Sequence, residues 1–76
     1  PFNPKTVIRF SLSAVSNAIL KVYDAMGREI QTLVNESLQP GTYSVDWNAS
    51  DFPSGVYFYR LQTESFTETK RMTLIK

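Results

Sequence analysis

The chain has 76 residues, of which 42% are hydrophobic and 20% are charged, and its formal net charge is +1. This size fits one small domain, and the composition excludes an intrinsically disordered chain. The low net charge argues against nucleic-acid binding, and the absence of histidine removes the usual general base and the commonest metal ligand.

The opening segment Pro1-Phe2-Asn3-Pro4 is rigid and incompatible with a helix. We expect residues 1–5 to be the end of a linker and residues 6–76 to form a single domain. Because the first residue is proline and not methionine, we also expect the chain to be the C-terminal fragment of a longer parent.

Two strands of alternating polarity are predicted next, over Thr6–Leu12 and Ala18–Tyr23. Their inward-facing residues are Ile8, Phe10, Leu12, Ala18, Leu20 and Val22. Asp24-Ala25-Met26-Gly27 predicts a turn, because aspartate can bond its own backbone and glycine supplies a positive φ.

A third strand is predicted over Arg28–Val34, with a bulge where Ile30 and Leu33 break the period of two. Asn35–Gly41 predicts a longer turn. The alternation of Tyr43, Val45 and Trp47 then predicts a fourth strand with Trp47 in the core.

The last part of the chain predicts a loop over Asn48–Gly55 and two further strands. Val56–Gln62 is apolar on both faces, so we expect it to be central in its sheet. Gly55, just before it, predicts a turn residue with positive φ. With a last strand over Thr69–Ile75, six short strands separated by turns indicate an all-β sandwich or barrel.

Several stretches occur in an order that is typical of one known family. They are Pro1-Phe2-Asn3-Pro4, Leu20-Lys21-Val22-Tyr23-Asp24 with Gly27-Arg28, Pro40-Gly41-Thr42-Tyr43 with Trp47, Pro53-Ser54-Gly55-Val56-Tyr57-Phe58-Tyr59-Arg60-Leu61, and Thr69-Lys70 with Leu74 and Lys76. Together they resemble the C-terminal sorting domain, type A, of the bacterial type IX (Por) secretion system. The departures are Ala18, where a larger aliphatic residue is common, and Asn48, where an acid usually follows the tryptophan.

The resemblance implies an immunoglobulin-like antiparallel β-sandwich of about seven strands. The seventh strand would come from splitting the Asn35–Asn48 region or from Pro1–Pro4. The residues expected to hold the family's structural motifs are Gly27, Gly41, Trp47, Gly55, Tyr57 and Tyr59.

The resemblance also implies a function as an address and not as an enzyme. The domain would direct an N-terminal cargo domain of its parent through the periplasm and across the outer membrane to the cell surface. A type IX receptor or shuttle would bind it as a monomer, and a sortase would then remove it at a cleavage site upstream of Pro1. No cofactor, metal, catalytic residue or nucleic acid is implied. A similar fold accompanies flagellar hook-capping proteins.

The last strand is the candidate recognition element. Its candidate residues are Lys70, Met72, Leu74, Ile75 and Lys76. Lys70, Arg71 and Lys76 are alternatively gatekeepers that keep an edge strand from pairing with other chains, and both roles are compatible.

Two other functions stay open: a carbohydrate-binding or adhesive module of a secreted enzyme, and a passive spacer. A sugar-binding platform would use Tyr23, Tyr43, Trp47, Tyr57 and Tyr59. We favour a core position for these aromatic residues except Tyr23, which we expect to be the most exposed. Asp46, Asn48 and Asp51 have the beginning of a calcium-loop spacing, but lack its glycine and distal glutamate, so we favour turn formers.

Overall fold

A computed structural model describes residues 4–75, and these residues form six β-strands and no helix. The strands are β1 Lys5–Leu12, β2 Ser16–Asp24, β3 Glu29–Leu38, β4 Gly41–Asn48, β5 Gly55–Gln62 and β6 Thr67–Leu74. The predicted all-β class is therefore confirmed. Pro1, Phe2, Asn3 and Lys76 lie outside the described residues.

The strands pair in two antiparallel sheets that face each other as a sandwich. The smaller sheet has the order β1-β4, and the larger has the order β3-β2-β5-β6. In immunoglobulin lettering this arrangement corresponds to the pair B-E against the sheet C′-C-F-G. The central position predicted for the fifth strand is confirmed, because β5 lies between β2 and β6.

Residues 4–75 hold six strands, where about seven were expected. The Asn35–Asn48 region does not split into an extra strand, and the predicted turn over Asn35–Gly41 is wrong for most of its length. Asn35–Leu38 instead continues β3 and pairs with Ser16–Ile19 of β2. Only Gln39 and Pro40 connect β3 to β4. The polar residues of this stretch resemble a loop in composition, but the ladder with β2 satisfies the backbone groups that face β2.

Alternating apolar residues from both sheets meet in one core. The buried members are Ile8, Phe10, Leu12, Ala18, Leu20, Val22, Trp47, Ala49, Tyr57, Leu61 and Leu74. Both predicted inward-facing sets are confirmed, and so is the core position of Trp47, which is 0% exposed. The indole ring lies across Tyr57 with ring centroids 5.5 Å apart, which joins β4 of the smaller sheet to β5 of the larger.

The predicted irregularity in the third strand is confirmed. The register between β2 and β3 shifts twice, which leaves Ile30 and Leu33 without a partner on β2. Both side chains are half-buried and pack against the core. A strict alternation would send one of them to solvent, so each bulge corrects the direction of an apolar residue.

The predicted turn between β2 and β3 is also confirmed. Oδ1 of Asp24 accepts backbone hydrogen bonds from Met26 at 2.9 Å and Arg28 at 3.0 Å, and Oδ2 accepts one from Nε of Arg28 at 2.8 Å. Gly27 has φ 83°, a conformation that few other residues adopt. One carboxylate therefore fixes the backbone of this turn and one of its side chains.

Two tyrosines close the loops before β4 and β5 in the same way. The hydroxyl of Tyr43 donates to the carbonyl oxygen of Gln39, and that of Tyr57 donates to the carbonyl oxygen of Pro53, both at 2.6 Å. Tyr57 matches the tyrosine corner of immunoglobulin-like domains, in which a tyrosine near the start of strand F bonds back to the preceding corner. The repeated geometry explains why each of these tyrosines lies two residues after a glycine.

Candidate recognition site on the last strand

The last strand lies at an edge of the larger sheet. β6 pairs with β5 alone, so the backbone groups along its other side have no partner strand among residues 4–75. Unpaired groups of this kind are a template on which another chain can add a strand. The strand predicted as the recognition element is therefore an edge strand among residues 4–75, with one row of backbone groups that no described strand pairs.

The two faces of β6 differ in chemistry. On the inner face Leu74 lies opposite Gly55, Met72 opposite Tyr57 and Lys70 opposite Tyr59. Leu74 is 1% exposed, and Met72 is half-buried against the core. The apolar end of the strand closes the sandwich, and its polar beginning extends beyond the core.

The structure divides the five candidate recognition residues into two groups. Leu74 and Met72 contribute to the core, whereas Lys70 and Ile75 are accessible, with Ile75 51% exposed. Nζ of Lys70 lies 3.9 Å from Oε1 of Glu68, and both side chains are more than half exposed. A surface pair of this kind contributes little to stability, so Lys70 is accessible to another charge. Lys76 lies outside the described residues.

The gatekeeper role is compatible with the same geometry. Lys70 and Arg71 are both exposed on an edge strand, which is where charged side chains discourage pairing with other chains. They point to opposite faces, because Lys70 lies opposite Tyr59 and Arg71 lies opposite Phe58. They do not form one patch.

The residues of the structural motifs lie in turns and in the core. Gly27 lies in the turn between β2 and β3, whereas Gly41 and Gly55 begin β4 and β5, and all three have positive φ. The positive φ predicted for Gly55 is confirmed at 155°. Tyr57 is 4% exposed, and Tyr59 is half-buried against the core.

The aromatic residues do not form an exposed platform. Trp47 and Tyr57 are buried, as predicted, and Tyr43 stacks on Phe10 with ring centroids 5.4 Å apart. Tyr23 is half-buried and lies under the guanidinium of Arg60, whose Cζ is 4.8 Å from the ring centroid. The surface that a sugar ring would need is largely used for packing.

The loop after β4 uses its polar side chains for local structure. Oδ1 of Asn48 accepts a hydrogen bond from the backbone of Ser50 at 3.0 Å, which makes it a turn former. Residues 4–75 contain no group of three or more aspartate or glutamate residues placed to hold a metal ion. They also contain no helix that could span a membrane.

Two carboxylates outside the last strand have perturbed acidity. The backbone N–H of Arg28 lowers the pKa of Asp24, and the Arg28 side chain and the Met26 N–H act in the same direction against partial burial. The hydrogen bond from the Lys21 ammonium, with Nζ 2.9 Å from Oε1, lowers the pKa of Glu29. Both shifts come from structural pairs at a turn and on a sheet face.

A shallow depression of about 370 Å³ lies where the β2–β3 turn meets the loop before β5. Ile30, Phe52 and Tyr57 are among its mostly apolar lining residues. Its charged lining residues, Asp24 and Arg28, bond to each other at 2.8 Å. This lining lacks the pair of separated carboxylates that glycoside hydrolysis requires.

Sequence reasoning missed several contacts that hold the two sheets together. Nε1 of Trp47 donates to Oε1 of Gln31 at 3.0 Å, and Phe52 packs on Trp47 with centroids 5.9 Å apart. Gln31 lies next to the bulge at Ile30, so its direction depends on a register that no pattern of polarity reveals. Phe52 lies in a segment dense in turn formers. Its own apolar side chain is the only feature of the sequence that indicates a place in the core.

The fold and the candidate site define an immunoglobulin-like β-sandwich domain whose last strand is an open sheet edge. A family model described as the secretion system C-terminal sorting domain (Por_Secre_tail) matches residues 1–76. The chain therefore belongs to this family, the C-terminal sorting signals of cargo proteins of the type IX system. Such a signal implies secretion of its cargo across the outer membrane to the cell surface or beyond. No match was found among curated proteins, and none among solved structures.

Proposed function

We propose that this domain is a non-enzymatic address that the type IX machinery reads at the end of β6. Ile75 is the observation that carries the proposal. It follows Leu74, which is 1% exposed, and is itself 51% exposed. The fold thus anchors the strand by one residue and presents the next to solvent. Because Leu74 fixes the end of the strand in the core, the exposed aliphatic side chain after it has a defined position at which a receptor can bind.

The proposed partners are an outer-membrane receptor or shuttle that binds the end of β6 and a sortase that removes the domain from its cargo. The route runs through the periplasm, and the domain acts as a monomer. Removal by a sortase requires a bond upstream of the sandwich. The linker therefore ends before β1, because Lys5 already pairs with Asn48 of β4, and the strands from β1 onward serve as the signal.

The carbohydrate-binding alternative has less support. Trp47 and Tyr57, two members of the supposed platform, are 0% and 4% exposed. A sugar would have to displace core residues to stack on them, and such displacement costs several kcal/mol by the usual cost of opening a core (~3–5 kcal/mol).

The test is a cargo fused to this domain and expressed in a type IX-competent cell. Deleting Ile75–Lys76 removes the exposed Ile75 side chain and keeps Leu74, which belongs to the core. We expect the fused cargo to accumulate in the periplasm, while circular dichroism and thermal unfolding of the purified domain stay close to those of the parent chain.

A matched substitution separates recognition from surface hydrophobicity. Ile75→Asp should block delivery, whereas Val15→Asp should not, although Val15 is 57% exposed in the β1–β2 connection. Leu74→Ala serves as the stability control, because it opens the core without changing the exposed end. The proposal would be contradicted if cargo fused to the Ile75–Lys76 deletion reached the cell surface as efficiently as cargo fused to the unmodified domain.

A further inference from the structure

The outer face of the larger sheet carries a second cluster of side chains, apart from the strand end proposed above as the address. Ala18, Leu20 and Val22 of β2 are fully buried, so the alternate residues Lys21 and Tyr23 point away from the core. On β5, Tyr57 and Leu61 are buried, which places Phe58 and Arg60 on the same outer face. On β6, Arg71 joins them because it lies opposite Phe58.

Direct cross-strand pairs hold this cluster together. Tyr23 lies opposite Phe58, and Lys21 lies opposite Arg60. The guanidinium of Arg60 lies over the Tyr23 ring, with Cζ 4.8 Å from its centroid, and its Nε lies 3.3 Å from the hydroxyl oxygen of Thr69. Arg60 is therefore oriented by an aromatic ring and a neutral hydroxyl, and no carboxylate of residues 4–75 is bound to it.

The charges on this face are not balanced. Lys21, Arg60 and Arg71 are cations, and Glu29, opposite Tyr23, is the carboxylate that the strands contribute to the face. Glu29 is already bound by Lys21 at 2.9 Å. Arg60 and Arg71 are thus two exposed guanidinium groups with no acidic partner among residues 4–75.

The spacing of these two arginines sets what they can bind together. Arg60 and Arg71 occupy diagonal positions on adjacent antiparallel strands. Two positions related in this way are about 7–8 Å apart. Side chains at positions i and i+2 of an extended peptide lie on one side, separated by about 6.5–7 Å. Each guanidinium can bind a carboxylate through two parallel N–H donors. Phe58 and Tyr23, both half-buried, supply a flat apolar floor beside them.

We propose that Arg60 and Arg71, with Tyr23 and Phe58 beside them, form a docking surface for an extended acidic segment of a partner protein with carboxylates at alternate positions. This surface lies on a sheet face, separate from the exposed end at Ile75, and goes beyond the proposed address. The domain then has two contacts of different chemistry, one apolar at a strand end and one electrostatic on a face.

The probe is a fluorescein-labelled peptide of alternating serine and aspartate, titrated with the whole chain by fluorescence anisotropy at low ionic strength. Arg60→Gln combined with Arg71→Gln should weaken binding at least about tenfold, because charge-assisted hydrogen bonds contribute on that scale. Lys5→Gln combined with Arg9→Gln is the matched control. It removes two exposed charges from β1 in the smaller sheet and should change affinity by less than about twofold, within the range of screened long-range effects.

Two further arms test spacing and the class of partner. A peptide of the same composition with its aspartates consecutive should bind more weakly, since it cannot present i and i+2 carboxylates on one side. Arg60→Lys with Arg71→Lys keeps the charge but loses the paired donors. The affinity of this variant for the alternating peptide should lie between those of the unmodified chain and the glutamine variant. Thermal unfolding of every variant checks that the fold is retained.

Three results would overturn the proposal. The first is no binding of the alternating peptide by the parent chain. The second is an equal loss of affinity in the β1 control, which would indicate nonspecific attraction. The third is binding of anionic phospholipid vesicles or a single-stranded oligonucleotide that depends on Arg60 and Arg71 while the peptide does not bind, which would assign the surface to another class of ligand.

Discussion

Nε1 of Trp47 donates a hydrogen bond of 3.0 Å to Oε1 of Gln31, and this bond joins the smaller sheet to the larger. Trp47 is fully buried in β4, whereas Gln31 belongs to β3 at the edge of the opposite sheet. The indole ring fills the core, and its one polar atom is paired across the sandwich. The contact therefore fixes how the two sheets are placed on each other.

Gln31→Ala should lower the free energy of unfolding by about 1 kcal/mol, the usual contribution of such a bond. Trp47→Ala should cost roughly 3–5 kcal/mol, which can unfold a domain of this size. Chemical denaturation followed by circular dichroism measures both. In the parent chain Trp47 fluorescence should resist iodide quenching; full quenching in the folded protein would place the ring at the surface instead.

Gly55 and Gly27 should respond differently to substitution. An added Cβ meets no atom within 4 Å at either position, so any cost comes from the backbone. Gly55, with φ 155°, occupies a region that other residues rarely adopt, and Gly55→Asn or Gly55→Val should cost more than about 1 kcal/mol. Gly27, with φ 83°, is closer to the left-handed region that asparagine tolerates, so Gly27→Asn should cost less. Denaturation midpoints compare the variants, and equal midpoints for the two asparagine substitutions would contradict this assignment.

The two tyrosine hydroxyls should contribute unequally despite equal bond lengths. Tyr57→Phe removes a part-buried hydrogen bond to Pro53 and should cost about 1 kcal/mol. Tyr43→Phe removes an exposed bond to Gln39, where water can replace the hydroxyl, and should cost less. Thermal unfolding of both variants under the same conditions tests the difference. A larger loss of stability for Tyr43→Phe would contradict this and show that the hydroxyl bond of Tyr43 contributes more than that of Tyr57.

Acid should weaken the domain through Asp24. Because the folded-state pKa of Asp24 is lowered from 3.8, the folded protein binds fewer protons, and stability rises with pH in this range. The contribution is complete above the unfolded pKa and is lost as pH falls through the lowered folded value. Asp24→Asn should therefore flatten the decline in unfolding midpoint below about pH 4. Asp51→Asn, outside this turn, serves as the control and should leave the slope closer to that of the parent.

Polarity patterns predicted the strands whose faces differ in character. Ile8, Phe10 and Leu12 alternate cleanly, and so does the set ending at Trp47, because one side of each strand packs in the core and the other meets solvent. The irregular spacing of Ile30 and Leu33 also predicted a bulge correctly, since both side chains are needed on the inside. The polarity pattern of the last strand does not indicate which of its apolar residues is buried, and the structure shows that Leu74 is.

Long-range pairing was beyond these patterns. The polar composition of Asn35–Leu38 predicts a turn, yet its backbone completes a ladder with β2. The outer-face cluster depends on Arg60 and Arg71 meeting across two strands, and register of that kind is set by the whole sheet. The contact between Gln31 and Trp47 likewise depends on the two bulges, because they set the direction of the Gln31 side chain.

The place of Leu74 in the core has a consequence for the order in which the molecule is made and folds. β1 pairs with β4 and β2 pairs with β5, so both sheets need residues that are synthesised far apart in time. The core is then completed by Leu74, the last residue of β6. A nascent chain whose residue 74 is still inside the ribosome has an open sandwich, and its non-local pairings form slowly. The domain therefore cannot complete its core until residue 74 has left the ribosome.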